Sequence, residues 1–212
     1  MLIAAGAVFY ETVLPHKFFL GALSAFILLI TLPTLPLGIP VYGPERLVFY
    51  FDSLEKKYGI DVGRRFEDGS VHSLPQDYAD MLGWETIANL TNQAYRQIPE
   101  TETGIIYCEN YGQAGAVSII SQEYGLPQPL SFSASFRYWI PDSISSDVHY
   151  FIYVNDELGA DVESAFNQVK IIGTVSNPHA REYGTSVFLC SQPRAPLNIL
   201  WQQAVERVFE NP

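Results

Sequence analysis

Residues 18–37 read FFLGALSAFILLITLPTLPL, twenty positions without one charge. Wound as a helix, a stretch of that length matches the hydrocarbon thickness of a bilayer, and twelve of the twenty are Leu, Ile or Phe. At roughly −0.5 kcal/mol for each of these, insertion gains on the order of −6 kcal/mol, which Gly21, Ser24, two threonines and two prolines only partly offset. A secretory signal carries a small-x-small cleavage site after its apolar run, and soluble helices rarely stay uncharged this long, so a retained membrane helix is expected. The chain therefore reads as a membrane segment, residues 1–40, followed by a water-soluble part, residues 41–212.

Pro33 and Pro36 each lack an amide hydrogen, so the regular helix is expected to end near Leu32. Lys17 lies on one side of the segment and Arg46, Lys56 and Lys57 on the other, so charge counting does not decide the orientation. Residues 1–10 are also apolar and read as the tail of another membrane element.

The remainder suits one compact core. Formal charge is −11, from 12 Lys+Arg against 23 Asp+Glu, and no basic run exists to neutralise successive phosphates. Nucleic acid is thereby excluded as a partner class. Cys108 and Cys190 lack the paired spacings that hold zinc. Their apolar flanks read as buried thiols, with a disulfide as the alternative in an oxidising compartment.

Along the soluble part, residues 42–58 read as a helix leading away from the membrane and closed by Gly59. Residues 64–84 read as a loop with an Asp68-Gly69 turn and a short helix opened by Pro75. Residues 84–98 carry a helical apolar stripe. A strand at 104–108, a helix at 113–124, an apolar stretch around Leu130, and a strand at 148–154 follow. A helix at 158–166, strands at 169–175 and 186–190, and a closing amphipathic helix with Leu200, Trp201, Val205 and Val208 complete the pattern. Strands alternating with helices predict an α/β fold, Rossmann-like in layering, with a mostly parallel sheet and flanking helices.

Two clusters qualify as candidate binding residues. Glu109-Asn110-Tyr111-Gly112-Gln113-Ala114-Gly115 falls where a strand hands over to a helix, the ligand edge of open α/β sheets. Within it, Asn110, Tyr111 and Gln113 are the ligand candidates; the competing reading makes Asn110 an N-cap and the glycines packing residues. Arg137, Tyr138 and Trp139 offer a guanidinium and flat ring faces for stacking on a sugar, with a core cluster as the competing reading. Asp68, His72 and Asp77 lack metal-ligand spacing and read as solvated loop and cap residues. The sequence contains no nucleophile elbow, zinc-protease motif or P-loop, so neither a catalytic set, a metal nor a cofactor is expected.

The motifs FEDGSVHSLPQDYADMLGW, ENYGQAGAVSII with YGLP, SFRYWIP and NPHAREYGTSVFLCSQPRAPLNILW occur in that order. Together they resemble the C-terminal soluble domain of bacterial glycosyltransferase family 39 proteins, relatives of the dolichyl-phosphate-mannose mannosyltransferases. The resemblance spans residues 35–201 and, more loosely, the membrane helix before them. It implies an extracytoplasmic domain beside a multi-helix membrane part that takes a sugar from a polyprenyl-phosphate carrier. In that family the catalytic carboxylate sits in an early extracytoplasmic loop, and nothing in these residues matches that region. Transfer chemistry is therefore expected outside this sequence, with the chain a piece of a longer enzyme or a naturally short relative. The expected partners are the membrane, a lipid-linked sugar or glycan, and the multi-helix portion. A stand-alone glycan-binding module and a structural subunit remain the alternatives.

Overall fold

The computed structural model describes residues 6, 8–9, 12, 17–61 and 63–210. Most of the apolar stretch at residues 1–10 lies outside the described residues. Two compact units emerge, Met1–Pro75 and Gln76–Pro212. Residues 41–75, read from sequence with the soluble part, thus cluster with the apolar N-terminal helix.

In the first unit, α1 spans Lys17–Thr34 and runs into a 3-10 turn at Leu35–Leu37. The stretch Lys17–Leu37 is long and apolar enough to cross a membrane, and no residue of Lys17–Thr34 is buried; only Pro36 in the 3-10 turn is. The helix passes through Pro33 rather than stopping at Leu32. A proline this close to the end forfeits only one hydrogen bond, and Thr34 Oγ1 donates back to Thr31 O at 3.0 Å, so the last turn closes before Pro36 stops it.

Helix α2, Pro44–Tyr58, has proline in its first turn, lysines in its last, and a left-handed Gly59 (φ 66°) as its stop. Leu47 and Phe51 are its buried face. The buried Arg64 holds the following loop to it, reaching Asp52 at 2.7 Å, Glu55, and Asp61 at 3.4 Å. The expected Asp68-Gly69 turn forms, with Gly69 at φ 84°.

The second unit holds α3 (Gln76–Ala79), α4 (Trp84–Tyr95), β1 (Thr103–Cys108), α5 (Tyr111–Ile120), β2 (Val148–Asn155), α6 (Ala160–Ala165), β3 (Phe166–Thr174), β4 (Ser186–Pro193) and α7 (Leu197–Glu210). The four strands lie in the order β1-β2-β4-β3. The mostly parallel sheet expected from the alternation is not what forms: β1/β2 is parallel, while β2/β4 and β3/β4 are antiparallel. The reason lies in the connections. A parallel neighbour needs a crossover, which the segment containing α5 supplies between β1 and β2. Between β3 and β4 the chain only turns, with Gly184 N donating to Val175 O and Val175 N to Thr185 O, so it returns antiparallel.

Alternation along the strands divides the core in two. Ile106, Cys108, Ile152, Val154, Val187 and Leu189 pack with Ile87 and Ala94 of α4 and Ala114 and Val117 of α5. Tyr107, Tyr153, Phe166, Phe188 and Cys190 pack with Leu197 and Trp201 of α7. Cys108 and Cys190 are free and buried in these two separate clusters, which removes the disulfide alternative.

Candidate functional site

The turn after β1 lies at the carboxyl end of that strand, and the side chains of Asn110 and Gln113 are engaged within the protein. Asn110 caps α5: its Oδ1 accepts from Gln113 N at 2.8 Å, while Gln113 Oε1 accepts from Asn110 N at 3.3 Å. This reciprocal pair is a capping box. Gln113 is only 2% exposed, and its Nε2 donates to Glu182 Oε2 at 2.8 Å. Glu182 also accepts from Thr185 Oγ1 at 3.0 Å, so Gln113 ties the start of α5 to the loop before β4. Asn110 Oδ1 and both polar atoms of the Gln113 side chain are therefore held within the protein. Tyr111, 61% exposed, is the member of the trio open to solvent. Of the two glycines, a Cβ on Gly112 would approach the Trp84 ring to 2.9 Å, whereas Gly115 faces open space.

Arg137, Tyr138 and Trp139 form the end of a 3-10 turn, Ala134–Trp139. They are not core residues: Tyr138 and Trp139 are 80% and 72% exposed. Phe136 meets Trp139 edge-on with centroids 6.3 Å apart, and the Arg137 guanidinium sits 5.3 Å from the Phe209 ring centre. On the loop of the first unit, Ser70 Oγ lies 2.7 Å from His72 Nε2 and also bonds Asp68. Asp68 Oδ1 accepts from both the backbone N–H and the hydroxyl of Ser70, a turn-closing pattern. Among the described residues no three His, Cys, Asp or Glu side chains converge as metal ligands.

A site that the sequence did not single out lies on the α7 side of the sheet. There a cavity of about 350 Å³ is walled by Tyr107, Phe132, Phe151, Tyr153 and Trp201 and edged by Glu109, Asp161, Gln203 and Arg207. Its floor follows from strand alternation: Ile105, Tyr107 and Glu109 in one row, Phe151 and Tyr153 in the next. The rings form a layer, with Tyr107–Phe151, Tyr107–Tyr153 and Phe151–Tyr153 stacked at 5.9, 6.0 and 6.1 Å. Phe132 stacks on Trp201 at 5.5 Å, and the indole N–H is satisfied by Pro141 O at 2.8 Å. The period-two aromatic pattern of HYFIYV, residues 149–154, is the signal in the sequence; by itself it specifies only a strand.

The cavity edge is polar and directional. Tyr153 donates its hydroxyl proton to Glu109 Oε2 at 2.9 Å and accepts from Asn155 Nδ2 at 3.0 Å. Burial, and then the Glu109 charge, pushes the Tyr153 phenol above its ordinary range. Tyr107 is raised for the same two reasons in the same order. Both stay protonated as hydrogen-bond donors at neutral pH. Glu109 and Asp161 outweigh Arg207, so the edge disfavours a ligand whose recognised group is a phosphate. Flat apolar walls with carboxylate, amide and phenol groups at the margin suit a neutral polyhydroxylated ring, whose C–H faces stack and whose hydroxyls bond the edge.

Comparison with protein-family models, with curated proteins and with solved structures gives no match to this chain.

Proposed function

We propose that the chain is a membrane-tethered, extracytoplasmic accessory domain of a family-39-like glycosyltransferase system. On this reading it holds the sugar of a polyprenyl-phosphate-linked donor or of a glycan acceptor, while transfer chemistry resides elsewhere. The aromatic cavity beside β1 and β2 carries the reading, because its stacked walls and acidic, hydroxyl-binding edge suit a sugar ring better than a free phosphate. The ordered motifs from FEDGSVHSLPQDYADMLGW to NPHAREYGTSVFLCSQPRAPLNILW support the family assignment, and helices on both sheet faces are compatible with a reduced Rossmann-like layering. Exposed Tyr138 and Trp139 supply further stacking surfaces on the same domain.

Calorimetric titration of the full chain in detergent with a short-chain polyprenyl-phosphate hexose, and with the free hexose, tests this reading. Binding of either, weakened roughly tenfold by Glu109→Gln or by Tyr107→Phe while Tyr111→Ala leaves it unchanged, is expected from the loss of one hydrogen bond at the cavity. Absence of binding to both probes refutes the sugar-holding role. Protease added to sealed cells should remove the second unit, and full protection refutes the extracytoplasmic placement.

A further inference from the structure

Helix α2 carries a face that the packing of its unit leaves mostly uncovered, with Arg46, Phe49, Lys56 and Lys57 exposed and Tyr50 and Ser53 half-buried. At about 100° per residue, Arg46, Phe49, Tyr50, Ser53, Lys56 and Lys57 fall within one arc of about 120°. Leu47 and Phe51 point the other way and are buried, and Asp52 and Glu55 are turned toward Arg64. The arc is basic in a chain of formal charge −11: three of its twelve Lys+Arg residues occupy this single face. Glu45 borders it, and Asp52 reaches Lys56 only at 4.0 Å. Lys57 lies 5.2 Å over the Tyr58 ring, leaving its ammonium at the surface. Phe49, 75% exposed in the middle of these cations, has no burial in the protein to account for it.

The position of this face relative to α1 says what covers it. Tyr50, inside the arc, donates its hydroxyl proton to Pro33 O at 2.8 Å, one residue before α1 ends. Through the half-buried Tyr50, this side of α2 is thus fastened near the C-terminal end of the segment that is apolar enough to cross a bilayer. Ile39, Val41 and Tyr42, the residues that join the two helices, are exposed and apolar. Aromatic residues collect at the headgroup level, and Lys and Arg there bury their stems while their charges reach lipid phosphates. An amphipathic helix with a cationic polar face lies in that plane.

We propose that α2 is an interfacial helix that recognises anionic phospholipid headgroups through Arg46, Lys56 and Lys57, with Phe49 inserted among the acyl chains beneath them. It rests on the reading that α1 spans the bilayer and does not depend on the sugar-binding reading.

The test uses the full chain in lipid nanodiscs, with a nitroxide attached at Phe49→Cys; Cys108 and Cys190 are buried and stay unlabelled. Accessibility of the nitroxide to oxygen, which partitions into lipid, is compared with accessibility to a water-soluble nickel chelate. In discs containing phosphatidylglycerol the oxygen-to-nickel ratio is expected to exceed that in purely zwitterionic discs by roughly threefold or more, as clustered basic residues gain from anionic lipid. Adding Arg46→Gln, Lys56→Gln and Lys57→Gln should abolish that difference. A nitroxide equally open to the nickel chelate in both lipids overturns the proposal. So does a label buried to the same depth in both lipids, or a lipid difference that survives in the triple variant.

Discussion

Replacing Gln113 with alanine removes the hydrogen bond to the Glu182 carboxylate at 2.8 Å and the weaker 3.3 Å acceptor of the capping box, and it leaves a void where a side chain 2% exposed had been. A hydrogen bond to a charged group contributes about 1.5–3 kcal/mol. The lower half of that range applies, because Glu182 keeps Thr185 Oγ1 at 3.0 Å and is itself only half-buried. The lost cap acceptor and incomplete collapse of the void add roughly 1 kcal/mol, giving a destabilisation of about 2.5 kcal/mol. Gln113→Glu should be worse at neutral pH, since it sets a second carboxylate against Glu182, and should recover as acid protonates one of the pair. Thermal melts of the full chain in detergent, followed by near-UV circular dichroism, read the loss directly. A change below about 0.5 kcal/mol for the alanine variant refutes the tether, as does a glutamate variant no worse than alanine at neutral pH.

The two glycines of α5 should diverge. Gly112→Ala drives a methyl against the Trp84 ring and costs about 1–3 kcal/mol, whereas Gly115→Ala meets nothing and gains up to about 1 kcal/mol of helix propensity; melts that move together refute this. Cys108 and Cys190 should resist thiol reagents until the protein unfolds, since burial pushes the Cys190 thiol up to about 12 and raises Cys108 as well. Rapid native-state labelling, or an intramolecular cross-link on oxidation, counts against that. Tyr107 and Tyr153 have folded-state pKa values above the unfolded value of 10.0, so their contribution is complete below that pH and is lost as pH rises from there through the folded values. Alkaline melts should show this loss, and Tyr107→Phe with Tyr153→Phe should flatten it; an unchanged profile refutes the assignment. Deleting residues 1–40 should move the chain from the detergent phase to water, and equal partitioning of both forms refutes α1 as the membrane-directed segment.

The order of helices and strands is readable in the chain because it depends on spacing over a few residues. The uncharged run at 18–37, the stripe at 84–98 and the alternation at 148–154 each carry their own period, and α1, α4 and β2 form there. Asn110 with Gln113 three residues later is likewise a local signal for a helix start, and it forms as a capping box. Strand direction is not local: α/β alternation suggests mostly parallel pairing, but the helix-free return between β3 and β4 imposes antiparallel pairing on that side of the sheet. The cavity is illegible in the sequence for the same reason. Tyr107, Tyr153 and Trp201 stand far apart in the chain, and only the β1/β2 register, Tyr107 beside Tyr153, together with the docking of α7 makes them one wall. Residue type and period determine which segments become helix or strand and which face of each is apolar; pairing direction and helix docking decide which of those faces meet, because that choice minimises exposed apolar area over the whole unit rather than within any one segment.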